Sequence, residues 1–539
     1  MAITARVMTE ALLHSATATW AAAGRRRRRH TPLRIRWHCA ASLVASIAGL
    51  WPCNSLGQGI KVVADASGEL TYTTDNRQFV RNFDWATVVR PGLAVSGSTG
   101  PVAMSGRLIG TFVRYARTTR ENRNTFDADL NARFNVAAPT FYVDAGVRSV
   151  QFAQSPFDLA PDPVGGQDSI TTTQYRISPV LELRLGPQTR LLARSDNTKT
   201  TENGSSASLS VSDAGGLFSK HLASVEHDGA QIDATLTAER QTTHYADAQT
   251  PRLTIDIARA TVSVPLGPDV QVGARTGVER NNFESAQQSD NSRIVGVDAS
   301  WQPSARTRLV GYRERRFFGS AWGLNFDHRL PMLAWRFGLT RDLSTAPQQL
   351  LEIGPTDNVR ALLNTMLISR VPDAVSREDA VNDFMRRYNV PASVQAVTAV
   401  YSQRLSVVTS KSLQIVVGGR FSSLTTTLQR SDVEDAVDAG PFATNLARNN
   451  NVQRGASAAY GWRLGDGIGV GVEVDWRNAR AKQGRGADNI TERGMRFTLG
   501  RSLGSDTQVR AAASYREGQT GLARAFKEGA VLLGVDYRF

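Results

Sequence analysis

Residues able to do chemistry are few and scattered in this chain. Four histidines follow residue 57: His221, His227, His244 and His328. None has a second His or Cys at metal-ligand spacing. His221 and His227 share a strand face, but six residues along a strand span about 20 Å, too far to hold one ion. Such histidines are expected to be solvated or to line a lumen. No Gly-x-Ser-x-Gly elbow occurs. The glycine-rich stretch from Gly465 to Gly471 lacks the following Lys-Ser/Thr and helix of a phosphate loop. No cofactor site, no metal site and no enzymatic activity are expected.

Charged residues offer more. Glu473 and Asp475 alternate with Val472, Val474 and Trp476, so both acids lie on one strand face. They would tune the charge of a lumen or act as a glycosidase-like carboxylate pair. Arg275, Arg496, Arg510, Arg516 and Arg538 fall on corresponding faces of other strands. A charged ring in a pore selects ions of opposite sign, which suits an anionic solute or polymer. Alternatively, these arginines pair with Glu279, Glu473, Asp475 and Asp536 and hold a narrow or filled interior together. The candidate lumen-facing charges are therefore Arg275, Glu473, Asp475, Arg496, Arg510 and Arg516.

The elements that position these residues read as strands. From Gly467 to Arg477, Ile468, Val470, Val472, Val474 and Trp476 face one way, and glycines and charges face the other. Val509, Ala511, Ala513 and Tyr515 repeat the pattern, as do Met495, Phe497 and Leu499, and Val270, Val272, Ala274 and Val278. A strand that crosses a bilayer needs only about 9–11 residues, with every second one apolar. No apolar run reaches the roughly 18 residues of a membrane helix, and mean hydropathy is −0.27.

Short turns are expected near 97–101, 137–139, 186–188, 228–231, 266–269, 302–305, 329–332, 465–467 and 503–506. Long polar loops are expected at 197–215, 284–292 and 430–451. Short turns on one side and long loops on the other mark an outer-membrane barrel. The pattern predicts an all-β, antiparallel up-and-down transmembrane barrel of about 22 strands over 58–539, with both ends in the periplasm.

The last strand places Gly529, Val531, Leu533, Val535, Tyr537 and Phe539 on one face. A terminal Phe in register with Tyr537 resembles the signal read by the barrel assembly machinery, which works by strand addition. Residues 1–57 read as a leader with a secretory signal peptide: Arg25 to Arg29 precede the apolar run Ala40–Leu50, with a cut before Gln58. This segment carries +7 of the formal net charge of +14, and both cysteines, Cys39 and Cys53. The remaining basicity is dispersed, so no nucleic-acid partner is expected. Outer-membrane lipid is the expected surroundings.

One segment, about 348–390, breaks the strand pattern. Val359, Leu362, Leu363, Met366 and Leu367 have helical spacing. A second helix follows Pro372, capped by Asp373 or Ser376, with Glu378 and Asp379 in its first turn and Val381, Phe384, Met385 and Tyr388 as its apolar stripe. Strand parity puts this insertion on the outer side. There it would cap the mouth, fold into the lumen or contact a partner, either as a packed loop or as a gate.

Three stretches resemble the outer-membrane barrel family associated with PEP-CTERM/exosortase systems. They are Leu70–Asn76 with Val89–Leu93, Glu314–Leu324 running into His328 and Arg329, and Ile368–Asp373 with Arg377–Val381. The resemblance implies bacteria whose loci also make exopolysaccharide. It implies a pore or export role for exopolysaccharide or another surface polymer, alone or with its export machinery. The alternative is a non-conducting structural or assembly barrel.

Overall fold

The computed structural model describes residues 59–74, 83–119, 122–153, 157, 169–203, 215–245, 252–282, 291–344, 358–368, 370–371, 374–388, 405–436, 450–465, 467–482, 489–521 and 525–539. The leader expected at 1–57 and both cysteines lie outside them. Twenty-two strands, from β1 (Ile60–Thr73) to β22 (Ala525–Arg538), pair antiparallel in chain order, and β22 pairs with β1. The sheet is a closed barrel, which leaves no unpaired strand edge in the hydrocarbon. The last backbone bond of the seam runs from the Phe539 amide to the Ala64 carbonyl at 2.9 Å.

Alternation sets the two faces. On β22, Val531, Leu533, Val535, Tyr537 and Phe539 point outward and are exposed, while Gly534 and Glu528 are buried on the other face. On β11 (Val270–Asn281), Ala274 and Val278 point outward, and Arg275 and Glu279 inward. Aromatics gather near both ends of the outer surface. Tyr72, Trp85, Phe126, Tyr175 and Tyr515 lie toward one rim, and Trp301, Trp335, Tyr460, Trp462, Tyr537 and Phe539 toward the other. Two such girdles around an apolar band mark a membrane-spanning barrel, and no described helix is long and apolar enough to cross. The protein is an integral β-barrel of the bacterial outer membrane.

Tyr537 and Phe539 pack edge to face at 4.8 Å beside the seam. Each contributes about 2 kcal/mol by removing apolar area from water. Replacing both with serine is expected to lower the yield of folded barrel in the outer-membrane fraction several-fold, as read from heat-modifiable gel migration. An unchanged yield would remove any role for these rings in closing the barrel.

All nine expected turns overlap short connections at the periplasmic end. The tenth, between β16 (Ser406–Gly418) and β17 (Ser422–Asp435), was not among them. Two expected loops begin later than the sequence pattern indicates, because residues 197–203 belong to β7 (Thr189–Asn203) and 430–435 to β17. The cause is physical: where strands rise beyond the bilayer both faces meet water, and the apolar–polar alternation disappears. One outer connection is also short. β13 (Thr307–Arg316) and β14 (Gly319–Leu330) are joined by Phe317 and Phe318 alone, and Gly319 takes φ +104°, a conformation open to glycine at little cost.

The insertion spans 345–405, longer than expected at both ends. α1 (Asn358–Leu367) and α2 (Ala374–Tyr388) lie within it. Since α2 begins at Ala374, Ser376 lies inside the helix rather than capping it, and Glu378 and Asp379 fall in the second turn. Asp373 and Pro391 lie outside the described residues.

Candidate lumen site and its helical insertion

The insertion leaves β15 (Leu333–Ser344) and rejoins β16 at their outer ends, yet its helices sit at the opposite end of the lumen. Val359, Leu362, Leu363, Met366, Leu367, Val381 and Tyr388 form one buried cluster with Ala334, Val416 and Ala459. Ala334 and Val416 are inward-facing and paired across strands, one and two residues from the periplasmic ends of β15 and β16. The Tyr388 hydroxyl lies 3.3 Å from the Gly419 carbonyl and 3.1 Å from that of Arg420, in the periplasmic turn between β16 and β17. Phe384 rests against Gly418, and Arg370 reaches Met332 Sδ at 3.5 Å. The helices are tied to each other by Arg377, which donates to Asn364 Oδ1 at 2.5 Å and to the Val371 carbonyl at 3.1 Å.

The amphipathic stripes read from the sequence are therefore the surfaces that bind the insertion to the inner wall. α1 packs on β14 to β16. α2 packs on β18 (Asn451–Gly465) and β19 (Ile468–Ala481). Of the three placements open at sequence level, folding into the lumen is the one observed. At the outer end, Leu405 joins Ile255, Ile257 and Ile294 in a second apolar cluster.

Width decides what such an insertion can do. With strands about 4.8 Å apart and tilted about 40°, 22 strands give a backbone diameter of about 44 Å. Wall side chains cannot fill that space. Two helices, each about 10 Å across with side chains, narrow one side of it.

The inner wall carries two ion-pair networks on opposite sides. In the first, Arg316 binds Glu279 through two bonds of 2.6 and 3.1 Å, and Asp342 at 2.6 Å. Arg259 binds Glu314 at 2.7 Å. Arg275 binds Asp298 at 2.9 Å and stacks on Tyr312, whose hydroxyl donates to Asp342 at 3.4 Å. In the second, Glu69 receives both Arg90 and Arg510, Arg510 also meets Asp536 at 3.2 Å, and Arg107 binds Asp65 at 2.8 Å. Between them the wall is rich in inward hydroxyls and amides, among them Thr172, Gln174, Thr198, Thr200, Thr425 and Thr427.

All six candidate lumen charges face inward, but they do not form one ring. Arg275 and Arg510 are ion-paired: of the four acids expected as partners, Asp536 meets Arg510, whereas Arg275 meets Asp298 and Glu314. Glu473 lies directly across from Arg496 in the strand register. The Asp475 carboxylate lies over Gly494, where a Cβ would come within 2.2 Å of it. Arg516 sits across from Glu528. Arg538, also inward, pairs in register with Asp65.

Of the two placements expected for the histidines, lining the lumen is not the one observed. His221, His227, His244 and His328 all share the outward face of their strands with Leu217, Val225, Leu236 and Phe326, so none lines the lumen. Three of them meet a hydroxyl: Ser195 Oγ at 2.9 Å from His221, Thr189 Oγ1 at 3.0 Å from His227 and Thr307 Oγ1 at 2.8 Å from His328. Among the described residues no cluster of His, Cys, Asp and Glu could hold a metal ion.

Arg316, Glu314, Arg259 and Asp342 were not among the expected site residues. The run Arg313-Glu314-Arg315-Arg316 is charged on both faces, so its alternation carries no signal. Only the sign change between Glu314 and Arg316, two residues apart on one face, hints at a pairing wall.

No family model matches the chain, and no curated protein matches it. Solved structures do. The siderophore receptor PirA from Pseudomonas aeruginosa aligns over 89% of this chain and 80% of its own, with 10% identity and a TM-score of 0.41. OccK2 (OpdF) from Pseudomonas aeruginosa aligns over 89% and 98%, with 12% identity and a TM-score of 0.33. OccAB3 from Acinetobacter baumannii aligns over 89% and 99%, with 9% identity and a TM-score of 0.32.

Proposed function

We propose that this barrel is a porin-like export channel for a surface polysaccharide, in a PEP-CTERM/exosortase system, with the helical insertion as its plug. The observation that carries this reading is the path of the insertion. It is rooted at the outer rim and seated by side-chain contacts at the periplasmic end of a polar lumen. A segment seated on the wall by side-chain contacts, and not by strand pairing, can be displaced without breaking any barrel pairing. The hydroxyl- and amide-bearing wall suits a polyhydroxylated chain, whose water hydrogen bonds it can replace one for one. The mixed charges are largely neutralised in pairs, so the path does not bind an anionic polymer too tightly to release it.

Deleting the gene and staining surface polysaccharide on intact cells tests this. Loss of surface polymer, restored by the wild-type gene, is the expected outcome. Unchanged polymer would favour the alternative, a structural barrel that conducts nothing.

A further inference from the structure

Among the described residues, the cations of the barrel's outward face gather toward one end. Arg280, Arg293, Arg313, Arg315 and Arg454 all project outward within four residues of the outer ends of their strands. At the periplasmic end, Arg501 is the only Lys or Arg projecting from this face among the described residues. Many inward arginines are paired, but Arg293, Arg313, Arg315 and Arg454 have no carboxylate partner among the described residues. Nearby cations do: Arg240 holds Asp256 at 2.6 and 3.0 Å, and Lys482 is clasped by Asp432 and Glu434.

Arg280, Arg293 and Arg315 form a diagonal on three neighbouring strands. Val278 faces Arg293 and Val295 faces Arg315, so each arginine is a diagonal neighbour of the next, about 7–8 Å away. Arg280 also faces Asp256 across the ladder, but Arg293 and Arg315 face valines, so three cations at that spacing favour a further anion seated between them. Guanidinium forks match phosphate oxygens in pairs.

Below this diagonal the same face is hollow. Ala193, Ala223, Ala238 and Ala258 lie side by side in one register row. They floor an apolar groove of about 1260 Å³ rimmed by Leu181, Val278, Arg280 and Arg293. An apolar trough running under a cationic rim has the shape of a lipid with an anionic head.

We propose that β7 to β13 hold a phosphate-bearing glycolipid of the outer leaflet, with its acyl chains in the alanine groove and its phosphate on Arg280, Arg293 and Arg315. The Arg240–Asp256 pair borders the headgroup and supplies hydrogen bonds to sugar hydroxyls. This site is independent of what passes through the lumen.

Native mass spectrometry of the full-length barrel tests the assignment, after exchange into detergent containing bisphosphorylated lipid A, the same lipid stripped of phosphate, or inorganic phosphate alone. The wild-type barrel is expected to retain phosphorylated lipid A at least tenfold more than the stripped lipid, and to retain no inorganic phosphate. R280Q/R293Q/R315Q should lose that preference. Ala223→Trp, which fills the groove and leaves every charge in place, should also reduce retention. Heat-modifiable migration confirms that both variants are folded. Equal retention of the two lipids, full retention by the triple variant, or binding of phosphate without lipid would each overturn the proposal.

Discussion

Replacing Leu363 and Val381 with aspartate is expected to raise single-channel conductance in planar bilayers several-fold, with the barrel still folded. Both side chains are fully buried, at 0% exposure, in the cluster that seats the insertion on Ala334, Val416 and Ala459. Truncating one such side chain costs about 2–5 kcal/mol, and burying an unpaired carboxylate costs more. Two buried aspartates therefore outweigh the stabilisation that this cluster supplies to the seat. The strands lose nothing, because none of their ladder bonds involves α1 or α2. A folded double variant with wild-type conductance would show that the insertion does not restrict the lumen.

The second large effect is expected at Arg316. Its side chain is 6% exposed, and that of its partner Glu279 is 0% exposed. Arg316→Met removes the cation and leaves Glu279 buried with its charge uncompensated. Breaking such a pair costs about 3–5 kcal/mol, whereas replacing both members with apolar residues is often close to neutral. The single variant should therefore unfold at markedly lower urea concentration in detergent micelles. Arg316→Met with Glu279→Leu should recover most of the loss. If both variants unfold alike, the cost lies in lost packing around Phe318, over which Arg316 stacks at 5.1 Å, and not in the orphaned charge.

Much of the architecture was legible because lipid imposes a local rule. Each residue that crosses the bilayer in a strand must be apolar if it faces out, and the period of two lets that rule be read a few residues at a time. Ile468 to Trp476 and Val531 to Phe539 obey it, so both the strand positions and their outward faces could be assigned. The rule fails where its cause is absent. Residues 197–203 and 430–435 extend strands into water and looked like loops. The Arg313–Arg316 run is charged on both faces, because its outward members sit at the rim and its inward members in a polar lumen. His221 could be matched in face to His227, but nothing nearby along the chain says which face that is.

The chain alone therefore determined the class of fold, the strand count, the ordering of short and long connections, and the helical character of 358–367 and 374–388. Each of these rests on contacts between near neighbours or on contact with solvent. Tertiary structure decided the rest. The Glu69–Arg510 pair joins residues 441 apart, and it exists because closure brings β22 beside β1. Barrel shear aligns Arg280, Arg293 and Arg315 on one diagonal, although each strand carries only its own charge. The seat of the insertion depends on Ala334, Val416 and Ala459, three small or β-branched residues from different strands. Together they make an apolar shelf at the periplasmic end of a lumen whose wall carries many hydroxyls and charges. Such sites are sums over distant segments, and no window of sequence contains the sum.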